Sequence, residues 1–244
     1  MDKKTALITG ASRGIGAAIA KQLAKDDYHV IIHYASNRNK ACEVLDHITA
    51  HGGSGTLMQA DLQDLSQTSA MCHSLPCVDL LILNASVQLP RPWQEISTEE
   101  AAMQLNCNFT SSLLLIQAVV KNMQQKHWGR IITIGSVQEA KPHPNMLIYS
   151  ASKAAQCNMV KSLALQLAKD GITVNNICPG IIDTDRNQKA FSDANYASKI
   201  IDSIPCGFFG QPEDCAGIVS LLCSEAGRYI TGQSIYVDGG KGIK

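Results

Sequence analysis

Short apolar runs recur along the chain, and stretches with helical periodicity separate them. Most of these runs lack the polar alternation of a half-exposed strand, which is typical of strands buried on both faces of a parallel sheet. The predicted strands cover residues 5–8, 29–34, 56–60, 79–83, 130–134, 172–177 and 233–237. Strands that alternate with helices in this way imply right-handed crossovers. The pattern therefore predicts an α/β fold, a single doubly wound Rossmann-type domain whose seven-stranded, mainly parallel sheet is flanked by helices.

The helical stretches complete this picture. Predicted helices cover residues 17–25, 37–51, 97–125 and 149–168, and another begins at Pro212. Residues 181–209 have weak periodicity apart from a helical patch around residues 196–204. A segment of this kind after a strand is usually a lid or a binding loop. Linkers and internal repeats are not recognisable, so one domain over residues 1–244 is predicted.

A glycine-rich turn joins the first strand to the first helix, with the sequence Thr9-Gly10-Ala11-Ser12-Arg13-Gly14-Ile15-Gly16. Strand, glycine turn and helix in this order form the opening of a nucleotide-binding unit. Backbone N–H groups must approach a pyrophosphate closely at a helix N-terminus, where side chains would obstruct them. The turn therefore predicts a dinucleotide site, and an ordinary tight turn is the alternative.

The end of the second strand bears on the choice between NAD and NADP. Folds that prefer NAD usually place an acidic residue there, on the ribose hydroxyls. This chain continues instead as Ala35-Ser36-Asn37-Arg38. Arg13 and Arg38 can flank the adenosine ribose, and arginine suits phosphate contact. We therefore predict NADP(H) as the preferred cofactor, with NAD(H) as the alternative; in the competing interpretation Arg38 only lies on a solvated helix face.

Polar residues also occur at strand ends and within one helix. Asp61, Asn84 and Ser86 follow the third and fourth strands, and the carboxyl ends of parallel strands line the ligand crevice. Asn106 and Asn108 interrupt the predicted helix over residues 97–125. A mid-helix asparagine competes with the backbone hydrogen bonds. An inward-facing one therefore suggests a polar task, although a satisfied core amide is the commoner case.

Residues 136–153 contain a candidate proton-transfer device. Tyr149 and Lys153 are four residues apart, which places both side chains on one face of a helix. Ser136 follows the fifth strand and comes just before them. A protonated lysine one turn away would stabilise the phenolate and lower the tyrosine pKa from about 10. The alternative for the pair alone is an ordinary surface contact.

Composition argues against several other classes. Lys plus Arg equals Asp plus Glu, at 21 each, so no net charge attracts nucleic acid or an anionic membrane. The nine cysteines are scattered without a C-x-x-C pair, and the seven histidines are equally dispersed. We therefore expect reduced thiols and no metal site. Neither a signal peptide nor a membrane-spanning run is recognisable, so a cytoplasmic protein is expected.

Taken together, these motifs resemble the short-chain dehydrogenase/reductase family over nearly the whole chain. The glycine loop is similar to the cofactor loop of that family, and Asp61-Leu62 to the pair beside the adenine. The segment with Pro179-Gly180 and Thr184 resembles the part that covers the nicotinamide. The family's catalytic tetrad matches Asn108, Ser136, Tyr149 and Lys153. The branch that looks most similar, from residues 129–137, is the β-ketoacyl-acyl-carrier-protein reductase group.

The resemblance implies hydride transfer between the nicotinamide and a carbonyl or secondary alcohol. Tyr149 would exchange the proton, Ser136 would polarise the oxygen, and Asn108 would hold a water that links Lys153 to solvent. A β-ketoacyl thioester, free or bound to a carrier protein, is the substrate that it suggests. A sugar or polyol dehydrogenase and a non-catalytic, NADP-sensing partner subunit are the alternatives. A homotetramer packed partly through the helices of Asn108 and Tyr149 is also implied.

The loop, the strand ends and the resemblance together predict the cofactor-binding residues. They are Gly10, Ser12, Arg13, Gly14, Ile15, Gly16, Tyr34, Ser36, Asn37, Arg38, Asp61, Leu62, Asn84, Ala85, Ser86, Tyr149, Lys153, Pro179, Gly180, Ile182 and Thr184. The substrate is expected against residues 86–93, 138–146 and 181–209.

Two departures from the family pattern change these expectations. Leu83-Asn84-Ala85-Ser86 stands where the family usually has Asn-Asn-Ala-Gly, so we expect altered cofactor affinity beside Ser86. The reductase branch also tends to present arginines for an acidic carrier protein, where this chain has Lys126-His127 and Lys169-Asp170. These residues form a weaker basic patch.

Overall fold

A computed structural model describes residues 3–187 and 194–243, which contain one seven-stranded sheet. The strands are β1 (Thr5–Ile8), β2 (His29–Tyr34), β3 (Ser54–Gln59), β4 (Leu80–Leu83), β5 (Gly129–Ile134), β6 (Ile172–Pro179) and β7 (Ser234–Val237). They lie in the order β3-β2-β1-β4-β5-β6-β7, and every neighbouring pair is parallel. The predicted doubly wound α/β fold is confirmed, and its sheet is parallel throughout.

Helices cover both faces of this sheet. They are α1 (Gly14–Lys25), α2 (Arg38–Ala50), α3 (Leu65–Ser74), α4 (Thr98–Leu105), α5 (Ser111–Lys126), α6 (Leu147–Leu167), α7 (Ala194–Asp202) and α8 (Pro212–Cys223). The apolar residues of α1, α2 and α8 form one core cluster with the sheet. Those of α3, α5 and α6 form a second cluster on the opposite face. Two such layers of helices are what a parallel sheet needs to bury both of its faces.

Side chains of the same strand belong to both clusters, because they point to opposite faces of the sheet. Ile8 of β1 belongs to the first cluster and Leu7 to the second, and neither is exposed to solvent. Burying one such side chain contributes about 1.5–3 kcal/mol. β4 and β5 are buried at every position. The continuous apolar runs in the sequence therefore reflect strands with no solvent-facing side.

Helix α1 packs extensively against α8, although the two are far apart in the sequence. The Tyr28 hydroxyl donates to the carbonyl of Cys223 over 3.2 Å. The Ser220 hydroxyl donates to the Asp26 carboxylate over 2.5 Å. The helix that follows the glycine loop is thus held from behind by the C-terminal part of the chain.

Two of the differences from the predicted element boundaries concern the site. The predicted helix over residues 97–125 is divided, because a π-helical turn over Asn106–Thr110 separates α4 from α5. Strand β6 also continues through Pro179, where a break was predicted. Pro179 pairs with Val237 at the end of the strand, where its missing N–H is tolerated, and Gly180 N donates to Val237 O over 2.9 Å.

Other global features bear on the predicted class. All nine cysteines are free thiols. Within the described ranges, His, Cys, Asp and Glu side chains do not gather into a group of three that could hold a metal. Over the same ranges, no helix combines the length and the apolar character needed to span a bilayer.

Candidate active site

A cleft of about 990 Å³ lies at the carboxyl ends of the strands. This is the edge at which doubly wound sheets bind their ligands. We call the part beside the glycine loop, Ser36 and Asp61 the cofactor end. We call the part beside Ser136, Tyr149 and residues 138–146 the substrate end. Residues of both ends line one continuous cleft.

The glycine loop has the shape that its sequence predicts. Gly10 and Gly14 have φ angles of +62° and +55°, in the left-handed region that favours glycine. A Cβ atom on Gly16 would lie 2.5 Å from the Gly10 carbonyl oxygen and 2.5 Å from Asn84 Nδ2. The loop is therefore packed from behind, and its backbone turns towards the cleft.

His33 supports this loop from β2, a role that the sequence analysis missed. Its Nδ1 accepts from Gly10 N over 3.1 Å, so its Nε2, 3.0 Å from Ala60 O, carries the proton. The ring is buried, and this burial lowers its pKa to about 4. His33 is thus a neutral side chain that links the glycine loop to the end of β3 by hydrogen bonds. The signal in the sequence was a polar residue within an otherwise apolar strand.

Asn84 and Thr9 hold β4 against the same loop. Asn84 Nδ2 donates to Thr9 O over 2.9 Å and to Gly10 O over 3.0 Å. Thr9 Oγ1 accepts from the backbone N–H groups of Asn84 and Ala85, over 2.9 and 3.0 Å. Asn84 lines the cleft as predicted, but its amide faces the glycine loop. It connects the end of β4 to the end of β1.

Charged side chains at the cofactor end form a small network. Asp185 accepts from Lys40 Nζ over 2.7 Å and lies 3.5 Å from Arg13 Nη1. The hydrogen bond from Lys40, reinforced by the Arg13 charge, lowers the pKa of Asp185. Arg38 is the first residue of α2 and is exposed, and Asn37 caps that helix by accepting from Lys40 N. Lys40 was not among the predicted residues.

The other predicted cofactor residues divide into two groups. Those that line the cleft are Gly10, Ser12, Arg13, Gly14, Ile15, Ser36, Asn37, Asp61, Leu62, Asn84, Ala85, Ser86, Tyr149, Pro179, Gly180, Ile182 and Thr184. Those outside its lining are Gly16, Tyr34, Arg38 and Lys153. Tyr34 and Gly16 belong to the layer behind the wall, and Arg38 lies on the surface at the rim.

Ser136 and Tyr149 come together in the wall of the substrate end. The Ser136 hydroxyl caps the short turn after β5 and accepts from Gln138 N over 3.1 Å. Tyr149, in the first turn of α6, is 5% exposed. Burial raises its pKa, whereas the charge of Arg186 and the nearby Ser136 act in the opposite direction. Both predicted hydroxyl groups therefore belong to residues that line the same cleft.

Lys153 lies one turn further along α6 and is fully buried. Its Nζ donates to Ile134 O over 2.8 Å and to Gln156 Oε1 over 3.0 Å. It lies 5.6 Å from the centroid of the Tyr149 ring. Burial lowers the pKa of Lys153 to about 7, and the charge of Arg186 acts in the same direction to a smaller extent. The lysine is therefore close to its titration point at neutral pH.

Asn108 lies within the π-helical turn, behind the cleft. Its Nδ2 donates to Val87 O over 2.9 Å and to Ser152 Oγ over 3.0 Å, and its Oδ1 accepts from Val87 N over 2.8 Å. Both donors of the amide are thus used by the protein, and they fix the loop after β4 to α6. A water on Asn108 would therefore have to bind the backbone carbonyl.

Gln156 links Lys153 to Asn108 through side chains, which the sequence analysis also missed. Its Nε2 donates to Ser112 Oγ over 3.3 Å, and that hydroxyl donates to Asn108 O over 3.4 Å. All four residues of this path are buried. The only signal in the sequence was a polar residue three positions after Lys153, on the inner face of α6.

Comparison with known proteins now identifies the family. The family model described as short chain dehydrogenase matches residues 4–195. The chain belongs to the short-chain dehydrogenase/reductase family. A 3-oxoacyl-[acyl-carrier-protein] reductase of Staphylococcus aureus is 36% identical over 241 residues, which cover 97% of each chain. As a member of this family, the protein is an oxidoreductase that acts on C=O or CH–OH groups.

Solved structures of two similar proteins show the same fold. A 3-oxoacyl (acyl-carrier-protein) reductase from Agrobacterium tumefaciens, with NADP bound, superposes with a TM-score of 0.92 at 34% identity, covering 97% of this chain and 93% of that one. A gluconate 5-dehydrogenase from Burkholderia cenocepacia, in complex with NADP and tartrate, gives 0.91 at 28% identity, with coverage of 100% and 97%.

One cation of this dehydrogenase/reductase lies at the substrate end and was not predicted. Arg186 Nη2 donates to both Ser86 O and Ser86 Oγ, over 2.9 and 3.0 Å. The predicted departure at Ser86 is thus part of a contact across the cleft. The sequence gave a weak signal, since Arg186 lies in the segment predicted as a lid, two residues after Thr184.

Proposed function

We propose that this enzyme transfers a hydride between the nicotinamide of NADP(H) and a carbonyl or secondary alcohol. The observation that supports it most is the juxtaposition of Ser136 and Tyr149 in the cleft wall, with Lys153 buried one turn behind. A hydroxyl pair above a buried amine suits proton exchange with a substrate oxygen.

The residues at the cofactor end fit a dinucleotide. A Cβ on Gly14 would lie 3.2 Å from Thr184 Cγ2, and one on Gly10 would lie 3.0 Å from Ala85 Cα. The backbone therefore approaches the cleft at positions where a side chain would intrude. Backbone N–H groups at the start of α1 would hold the pyrophosphate. When bound, the cofactor supplies or accepts the hydride.

The preference for NADP(H) rests on the charges around the adenosine site. Arg38 lies at the N-terminus of α2, where the helix dipole also favours an anion, and Arg13 lies across the rim. The two solved relatives described above both contain NADP. We propose that Arg13 and Arg38 bind the 2′-phosphate of the cofactor.

Tyr149 is the proposed acid in reduction and the proposed base in oxidation. Ser136 would donate a hydrogen bond to the same substrate oxygen and so polarise the carbonyl. A charged Lys153 would favour the phenolate form of Tyr149 electrostatically. Asn108 would position this lysine through Ser112 and Gln156, and its backbone carbonyl would hold the predicted water.

Two substrate classes are supported by different relatives. A β-ketoacyl thioester is favoured by the 3-oxoacyl reductases, whereas a hydroxy acid of the sugar series is favoured by the gluconate 5-dehydrogenase. The positions at which a carrier protein would meet a basic surface carry little unpaired positive charge. Lys126 forms an ion pair of 2.6 Å with Asp79, and Asp170 accepts from Gln124 over 2.7 Å. A small, free substrate therefore fits better than one on an acidic carrier protein.

The reaction is tested with the Tyr149→Phe variant. We expect kcat for NADPH-dependent reduction of a diketone or acetoacetyl thioester to fall by about 100- to 10,000-fold, because the proton donor is lost. NADPH affinity, followed by its fluorescence, should stay within about twofold, since only a hydroxyl is removed. Turnover near the wild-type rate in this variant would contradict the assignment.

We further propose a homotetramer in the cytoplasm. Large apolar side chains are exposed on the helices around Asn108 and on α6, namely Leu105, Leu147 and Leu165. An exposed apolar surface of this kind is typical of an association site. The nine free thiols suit a reducing compartment. Light scattering coupled to size exclusion should give four times the chain mass of 26.2 kDa, and a monomer would contradict the proposal.

A further inference from the structure

Arg186 crosses the mouth of the cleft at the substrate end. Its two hydrogen bonds to Ser86 both come from Nη2. It lines the same cleft as Tyr149 and Ser136. A guanidinium carries five N–H donors in a planar fork, more than these contacts need. Arg186 can therefore bind a further acceptor next to the reacting oxygen.

The charge of Arg186 is not balanced by the protein around it. Among residues 3–187 and 194–243, no carboxylate lies within ion-pair distance of its guanidinium. The preceding residue shows the contrast, because Asp185 contacts both Arg13 and Lys40. The Arg186 charge acts on the reacting groups instead: it adds to the lowering of the Lys153 pKa and opposes the rise that burial causes in the Tyr149 pKa.

Two lysines, Lys141 and Lys241, line the same cleft as Arg186. Within the described ranges, the carboxylates in the lining are Asp61 and Asp185, which both belong to the cofactor end. A neutral substrate would gain nothing from this distribution of charge. An anion would be attracted to the substrate end and repelled from the acids at the other end.

We propose that Arg186 binds the carboxylate of the substrate, so that the enzyme interconverts an oxo acid and the corresponding hydroxy acid. The proposal rests on the function proposed above and names its substrate class. Because Arg186 and Tyr149 line the same cleft, we expect the carboxylate one or two bonds from the reacting carbon. Ser86 holds the guanidinium in place from the opposite wall.

The reaction balances without a further reagent. In reduction the carbonyl carbon receives the hydride that NADPH supplies, and the carbonyl oxygen receives the proton of Tyr149. NADPH leaves as NADP+, and the phenolate regains a proton from solvent. The carboxylate keeps its charge throughout, so the contact with Arg186 is present in both substrate and product.

The test compares acids with their esters in the Arg186→Gln variant. The probes are acetoacetate and 2-oxobutanoate, each beside its methyl ester, with NADPH as reductant. We expect kcat/KM for the acids to fall by about 10- to 100-fold, because a charge-assisted pair is lost. The esters should change by less than about threefold, since they carry no charge. Arg228→Gln, at an exposed position outside the cleft lining, is the matched control and should leave all four values unchanged.

Two further measurements separate this proposal from the alternatives. The NADPH affinity of Arg186→Gln should equal that of the wild type; a parallel loss would assign Arg186 to the cofactor and overturn the proposal. Malonate, titrated calorimetrically into the NADP+ complex, should bind the wild type at least about tenfold more tightly than Arg186→Gln. Equal malonate binding, or equal losses for acids and esters, would also overturn it.

Failure of the proposed function would look different. In that case no probe would be reduced in a Tyr149-dependent way, while the malonate titration would still decide the role of Arg186. Conversely, Tyr149-dependent reduction of esters with no advantage for the acids would leave the reaction standing and remove the carboxylate site. A Ser86→Gly variant adds a graded readout, because loss of one hydrogen bond should raise KM for the acids about threefold.

Discussion

The two ends of the cleft differ in how their polar groups are satisfied. At the cofactor end, Asn84, Thr9 and His33 bind one another or the glycine loop, and Asp185 joins Arg13 to Lys40. At the substrate end, Ser86 is the only hydrogen-bond partner of the Arg186 side chain within the described residues. The first arrangement is complete without a ligand. The second leaves a charge directed at whatever occupies the site.

This difference has a physical origin. Every enzyme that binds a dinucleotide binds the same pyrophosphate group. A rigid, preformed loop can therefore bind it without having to adapt to different ligands. A substrate must instead be distinguished from its competitors, and discrimination needs a group that is satisfied only by the right partner. Rigidity at one end and an unbalanced charge at the other are therefore two solutions to two different binding problems.

The largest expected effect tests the rigidity of the cofactor end through pH. His33 has a folded-state pKa of about 4, below its ordinary 6.5, so the unfolded chain binds the proton first. Its contribution to stability is complete above pH 6.5 and is lost as the pH falls towards 4, at a cost of about 3 kcal/mol in the free energy of unfolding. Urea unfolding at several pH values measures this slope.

Two variants isolate the histidine in that experiment. His33→Leu removes the titrating ring and should flatten the slope, whereas His73→Gln changes an exposed histidine and should leave it as in the wild type. An unchanged slope in His33→Leu would show that the ring does not carry the pH dependence.

The next effect concerns the space behind the glycine loop. In Gly16→Ala the added Cβ would lie 2.5 Å from Gly10 O, so the loop must shift. We expect a loss of about 2 kcal/mol in stability and a large loss of NADPH affinity. Gly217→Ala is the matched control, because Gly217 is also helical but has no atom within 4 Å of a Cβ. That variant should gain about 0.5–1 kcal/mol, and equal behaviour of the two would contradict the tight packing.

A smaller effect distinguishes the two cofactors. Arg13→Gln and Arg38→Gln should each weaken NADPH binding by about tenfold, because each removes a charged contact to the 2′-phosphate. NADH lacks this phosphate and serves as the internal control. Fluorescence titrations with both cofactors measure the ratio. If a variant weakens both cofactors equally, its arginine does not recognise the phosphate.

The smallest effect probes the path behind the substrate end. Reduction requires a charged Lys153 and a protonated Tyr149, so kcat/KM should fall as pH rises through the Lys153 pKa of about 7. Gln156→Leu removes an acceptor from the ammonium and should move this fall to lower pH by about one unit. Gln156→Glu should move it to higher pH. A profile that is identical in both variants would leave Gln156 a purely structural residue.

The sequence predicts the parts of this enzyme whose function depends on a local pattern. The glycine loop, the strand ends and the Tyr149–Lys153 spacing all follow from short-range rules of backbone geometry. Strand β2 was predicted with the same bounds as in the structure. Each of these features is formed by residues that are close together in the sequence.

Contacts between distant segments could not be predicted in this way. Arg186 and Ser86 are 100 residues apart, and Gln156 and Ser112 are 44 apart. No periodicity records which polar side chain will lie opposite another across the cleft. The π-helical turn at Asn106–Thr110 is also invisible to a helical pattern, because one extra residue hardly alters the periodicity.

The packing of α1 on α8 has a consequence for how the chain acquires its structure. Tyr28 and Cys223 are separated by 195 residues, so a ribosome must add all of these residues before this contact forms. The nascent glycine loop and α1 therefore emerge long before the helix that supports them. Closing such a long loop is entropically costly and slows folding. The glycine loop, although synthesised before α8, becomes rigid only after α8 has been added.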